Sequence, residues 1–84
     1  MQLHLLYFAR LREALGRADE TLTVPPAVRT VQQLHDYLVG EGGRAALAEV
    51  RPLRCAVNQE LVADFSARLH PGDEVAFFPP VTGG

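Results

Sequence analysis

The chain contains no lysine. All eight of its positive residues are arginine, set against ten aspartates and glutamates, for a formal net charge of −2 over 84 residues. The C-terminal carboxylate of one copy therefore has no lysine side chain on a sister copy to which it could be joined. No basic stripe runs along any segment, so the electrostatic footprint of a nucleic-acid binder is missing. Cysteine is almost absent. Cys55 stands alone, which excludes an internal disulfide and a cysteine-built zinc site. The three histidines, His4, His35 and His70, lack the spacing of metal ligands and read as surface or rim residues, with no metal site. Long apolar runs are also missing. None approaches the roughly 20 residues that span a bilayer, and no charged-then-apolar leader opens the chain. These absences describe a soluble, cytoplasmic protein with neither nucleic acid nor membrane as a partner.

What is present is enough for one small domain. Hydrophobic residues make up 48% of the chain, too many for a disordered segment. A chain of this size buries roughly 60–65% of its unfolded surface, so its core is modest. Leu3, Leu5 and Tyr7 alternate with Gln2, His4 and Leu6, the period of a strand. Phe8, Leu11, Ala14 and Leu15 follow helical spacing, with Gly16 where a C-cap glycine belongs. Leu22 and Val24 predict a second strand, stopped by Pro25 and Pro26. Thr30 with Gln33 is a capping-box pattern opening the main helix, whose apolar face is Val31, Leu34 and Leu38. Gly40, Gly42 and Gly43 end it, and Arg44 to Val50 supplies one or two further helical turns.

Leu53 to Val57 predicts a third strand, with Cys55 on the same face as its two ends and so a buried, inert thiol. Asn58 and Gln59 make a turn into a short edge strand, Glu60 to Val62. His70 to Asp73 has proline and glycine where a type II turn places them, and Glu74 to Phe78 is the last strand. The order predicts an α+β fold in which a mixed sheet covers its apolar face with one main helix.

No self-contained active site is visible. Asp19–Glu20 and Asp73–Glu74 sit in or beside turns, where carboxylates are solvated. Thr30, Ser66 and Thr82 lack a neighbouring base, and the glycines after the helix do not form a phosphate loop. The informative region is the C-terminus. Val75 and Phe77 share one face of the last strand and Ala76 and Phe78 the other. If the first pair packs beneath the helix, Phe78 either points outward as a docking anchor or lies against the flank of its own sheet. Pro79 and Pro80 hold the chain extended. Val81 and Thr82 prolong it, and Gly83 and Gly84 lack the Cβ that would jam in a narrow channel. This suits a terminal carboxylate meant to enter another protein's active site. The chain divides accordingly into a domain over 1–78 and an extended tail with a flexible diglycine end over 79–84.

The ending GDEVAFFPPVTGG, Gly72 to Gly84, and the opening LLYFARLREALG, Leu5 to Gly16, strongly resemble the small-subunit family of molybdopterin synthases. The resemblance covers most of the chain and is weakest from Glu41 to Arg54. It implies a ubiquitin-like β-grasp fold and a sulfur-carrier role in molybdenum cofactor biosynthesis. The carboxylate of Gly84 would be adenylated by an ATP-dependent enzyme and converted to a thiocarboxylate by a sulfur donor. It would then donate sulfur to the pterin precursor within the synthase. By the same resemblance Gly84 is the reacting residue, Leu61 and Phe78 form an apolar docking patch, and Pro79, Pro80, Val81, Thr82 and Gly83 enter the large subunit. The small subunit binds no cofactor of its own, ATP being used by the activating partner. Catalytic side chains are expected on the large subunit, in an assembly of two copies of each. The competing readings are a carrier for another sulfur pathway such as thiamin, a ubiquitin-like modifier of target lysines, and an interaction module with an idle tail.

Overall fold

The computed structural model describes residues 1–80. Strand β1 (Gln2–Tyr7) is followed by a short helix α1 (Arg10–Leu15) and strand β2 (Asp19–Thr23). The main helix α2 (Val31–Gly40) and a 3-10 turn (Ala45–Glu49) come next, then strands β3 (Arg54–Val57), β4 (Glu60–Leu61) and β5 (Glu74–Phe78). The five strands form one sheet in the order β2-β1-β5-β3-β4. Its central pair, β1 and β5, is parallel, and every other pairing is antiparallel. A mixed sheet curled about one main helix is the β-grasp arrangement. Among the described residues no helix is long and apolar enough to cross a membrane.

Alternation decides which face the core takes. Leu3, Leu5 and Tyr7 of β1, Val75 and Phe77 of β5 and Cys55 of β3 point to one side and are fully buried. Val31, Leu34 and Leu38 of α2 meet them, and Leu11 and Leu47 close the flanks. No polar or charged residue is buried among the described residues. Helix α2 starts where the capping box requires. The Gln33 amide donates to Thr30 Oγ1 at 3.2 Å and the Thr30 amide donates to Gln33 Oε1 at 3.1 Å, a reciprocal pair worth about 1 kcal/mol. It stops at a bend that only glycine fits. A Cβ on Gly42 would lie 2.9 Å from Leu38 Cα, inside backbone contact distance.

Several local expectations needed correction. Helix α1 begins at Arg10, so Phe8 and Ala14 are exposed and Leu11 is its one buried residue. Asp19 and Glu20 open β2 beside the turn at Gly16, as expected, but Glu20 is not solvated: its side chain is only 10% exposed. Of the surface or rim placement expected for the histidines, His35 takes the rim, its side chain 20% exposed. The turn at 70–73 is as expected: Gly72 has φ +86° and the Asp73 amide donates to the His70 carbonyl at 3.1 Å.

The β3–β4 hairpin carries its two turn residues, Asn58 and Gln59, at φ 51° and 70°. Two successive positive φ angles are the mark of a type I′ turn, whose twist matches the flanking strands and whose second position favours glycine. Gln59 bears a Cβ in a region that costs a non-glycine residue about 1 kcal/mol. Gln59→Gly should therefore stabilise the fold by about 0.5–1 kcal/mol, measurable as a higher urea midpoint at unchanged slope.

Candidate functional site

The face of the sheet turned away from α2 is apolar at its centre. The pairing register aligns Leu6, Ala76, Ala56 and Leu61 in one row across β1, β5, β3 and β4. In the adjoining row Phe78 stands opposite Arg54. Phe8 extends the same side of β1. Its amide donates to the Phe77 carbonyl at 3.3 Å, which continues the parallel ladder by one residue, and its parity with Leu6 turns its ring outward. Leu61 is 64% exposed and Phe8 48%, the only large hydrophobic residues so exposed among the described residues. Phe78 is half-buried, as are Pro79 and Pro80 that follow it. A contiguous apolar patch of this kind at the end of the last strand has the composition of a protein docking surface.

The structure therefore places Leu61, Phe78 and Ala76, the last set on the face of Phe78 by strand alternation, on one face with Leu6, Phe8 and Ala56, which were not singled out in the sequence. Phe8 was missed because its spacing from Leu11 and Leu15 imitates a helix. The usable signal was its parity with Leu6 in a strand. Val81, Thr82, Gly83 and Gly84 lie outside the described residues. Among the described residues no group of three or more histidine, cysteine, aspartate or glutamate side chains could hold a metal ion. Cys55 is 1% exposed, and burial pushes its thiol up to about 12, so it is neither a ready nucleophile nor a ligand.

The strongest electrostatic feature lies at the edge of the core, away from the patch. Glu20 of β2 sits opposite Leu5 and so leans inward. Its Oε2 accepts from Tyr7 Oη at 2.7 Å and from Arg44 Nε at 2.8 Å. Its Oε1 accepts from Arg44 Nη2 at 2.5 Å and from Arg17 Nη1 at 2.9 Å. Arg44 Nη1 also donates to the Gly42 carbonyl at 2.7 Å. The hydrogen bonds from Arg44 hold the Glu20 carboxyl down at about 2, against the opposing effect of burial. Burial, then the Glu20 carboxylate, pushes the Tyr7 phenol up. The network bolts β2 to the loop after α2 and carries no catalytic geometry.

A protein-family model, that of the ThiS family, matches residues 5–84. The chain belongs to the ThiS family. Among similar curated proteins is the molybdopterin synthase sulfur carrier subunit of Escherichia coli strain K12. It is 46% identical over 80 residues, covering 94% of this chain and 95% of that one. A putative molybdopterin converting factor, subunit 1, from Pyrococcus furiosus superposes with a TM-score of 0.80 at 27% identity, over 96% of this chain and 99% of that chain. SAMP1 from Haloferax volcanii superposes with a TM-score of 0.75 at 27% identity over the full length of both. The ThiS-family fold thus extends over the whole described chain, and the ubiquitin-like β-grasp is shared with both solved structures.

The Glu20 network makes a pH-dependent contribution with a definite sign. Its folded carboxyl titrates below the ordinary 4.5. The stabilisation is therefore complete above that value and is lost as pH falls toward about 2. Glu20→Gln should destabilise the fold by about 1–3 kcal/mol at neutral pH, because Arg44 and Tyr7 lose a charged acceptor. The gap between variant and native chain should close in urea titrations taken from pH 5 down to pH 2.

Proposed function

We propose that this chain is a sulfur carrier for molybdenum cofactor biosynthesis, acting through the carboxylate of Gly84. The observation that carries the reading is the outward apolar patch of Phe8, Leu61 and Phe78 at the root of the GDEVAFFPPVTGG ending. The 46% identity to a molybdopterin synthase sulfur carrier subunit supports it. Six residues, Pro79 to Gly84, reach about 20 Å when extended. That is enough to carry a terminal group from a docked domain into a partner's interior. Leu61 and Phe78 belong to the docking surface and Pro79, Pro80, Val81, Thr82 and Gly83 to the inserted segment.

The chemistry follows from a poor electrophile made reactive. A carboxylate resists attack. An adenylating enzyme using ATP converts Gly84 to a mixed anhydride with AMP and releases pyrophosphate. A sulfur donor then displaces AMP and leaves a thiocarboxylate. Within the synthase its sulfur attacks a carbon of the cyclic pyranopterin monophosphate, and the C–O bond at that carbon breaks, its oxygen leaving protonated. Water cleaves the resulting thioester, leaving sulfur on the pterin and returning the Gly84 carboxylate. Two such transfers make the dithiolene. The small subunit contributes no catalytic side chain. The large subunit supplies them, in a cytoplasmic assembly of two copies of each. Ordering the tail costs conformational entropy, which contacts at the apolar patch offset.

A modifier role is the second reading, favoured by the superposition on SAMP1. Amide conjugates of this chain on other proteins, found by mass analysis of cell extracts, would support it. A C-terminus carrying sulfur in place of oxygen supports the carrier.

Two outcomes test the proposal. Phe78→Ala and Leu61→Ala should each weaken binding to the large synthase subunit by about 1–3 kcal/mol in calorimetry, with melting temperatures little changed for exposed Leu61. Adding one residue after Gly84 should abolish thiocarboxylation, and deleting Gly84 should cut sulfur transfer by about two orders of magnitude. Neither change should move the melting curve. An extended chain that still made molybdopterin without trimming would overturn the role of Gly84.

A further inference from the structure

On the helix side of the sheet, α2, the 3-10 turn and the segment around Phe65 line a half-open cavity of about 210 Å³. Leu47, Val50 and Phe65 supply its apolar walls, and Gln32, His35 and Arg51 supply its polar ones. No acidic side chain lines it. Arg51 is the one formally charged residue present. Its Nε donates to the Ala48 carbonyl at 3.3 Å, which holds the guanidinium at the rim. It makes no ion pair among the described residues, so its terminal nitrogens remain available as paired donors. Gln32 commits its amide nitrogen to Asp36 Oδ1 at 2.9 Å.

His35 forms the aromatic side. Its ring lies 6.3 Å from Phe65 and 6.5 Å from Phe77, both at steep interplanar angles, and the two phenylalanines are 6.5 Å apart edge-on. Its Nδ1 is the one buried side-chain polar atom without a hydrogen-bond partner among the described residues. Asp36 Oδ1 lies 3.7 Å away, beyond hydrogen-bond reach, and the nitrogen is shielded, so His35 contributes packing surface to the site rather than a polar contact. A cavity of about 150 Å³ suffices for a benzene ring.

We propose that this cavity binds a small planar ligand bearing one carboxylate. The ring packs against Phe65 and His35, and the carboxylate is paired by the Arg51 guanidinium. The site goes beyond the sulfur-carrier reading and stands or falls without it.

The test is a titration of the full chain with benzoate, followed by amide NMR, with neutral benzamide as the isosteric control. Saturable shifts confined to Gln32, His35, Leu47, Arg51 and Phe65, with benzamide about tenfold weaker, are the expected result. Arg51→Gln should weaken benzoate about tenfold, the loss of one charge-assisted contact. Arg29→Gln, which keeps the same net charge as that variant, should leave binding unchanged. Shifts that fail to saturate or spread over both faces overturn the site. So does equal binding of benzoate and benzamide, or an equal response to the two arginine variants. Should Arg51→Gln not fold, the benzoate–benzamide comparison on the native chain decides alone.

Discussion

The first and last strands lie side by side and parallel at the middle of the sheet, with Tyr7 opposite Phe77. The side-chain period of a strand is two, so a slip of β5 by one residue against β1 would invert its two faces. Val75 and Phe77 would turn away from α2, and Ala76 and Phe78 would turn inward. One register thus sets both the core and the patch. It also sets where the tail leaves the domain, because β5 ends at Phe78 beside the outward ring of Phe8. Burying the inner set against α2 is what holds this register, since each large aliphatic side chain removed from water contributes about 1.5–3 kcal/mol.

The Glu20 network extends that constraint to the sheet margin. β2 is an edge strand, and its inner residue opposite Leu5 is a glutamate. A bare carboxylate there would cost desolvation energy. Two arginines and a phenol satisfy it instead, and one of the arginines comes from the loop that follows α2. The outer end of the sheet is thereby tied to the helix it must cover. An arginine suits this position better than a lysine would, because its fork meets both carboxylate oxygens at once.

Much of this was legible in the residues. The alternation in β1 and β5, the Thr30–Gln33 capping box, the glycines that end α2 and the turn at Gly72 each state a local geometry that nothing in the tertiary structure contradicts. The misreadings share a cause. Phe8 and Glu20 have local patterns that fit one environment, and their real surroundings depend on distant segments. Phe8 is held by a ladder bond to Phe77 and Glu20 by Arg44. No spacing within a short window reports such partners. On the docking face, Phe78 and Ala76 came from alternation in the last strand and Leu61 from a family resemblance, whereas Leu6 and Ala56 needed the cross-strand register.

The burial of Cys55 acquires a meaning in this setting. An acyl adenylate at Gly84 would be an electrophile carried by a molecule that also carries a thiol, and nothing in covalent chemistry prevents the two from meeting in another copy. Burial leaves Cys55 1% exposed and pushes its thiol up, so little of it is thiolate at neutral pH, and the inner face of β3 screens what there is. A sister copy activated at its C-terminus would meet no accessible thiol on this one.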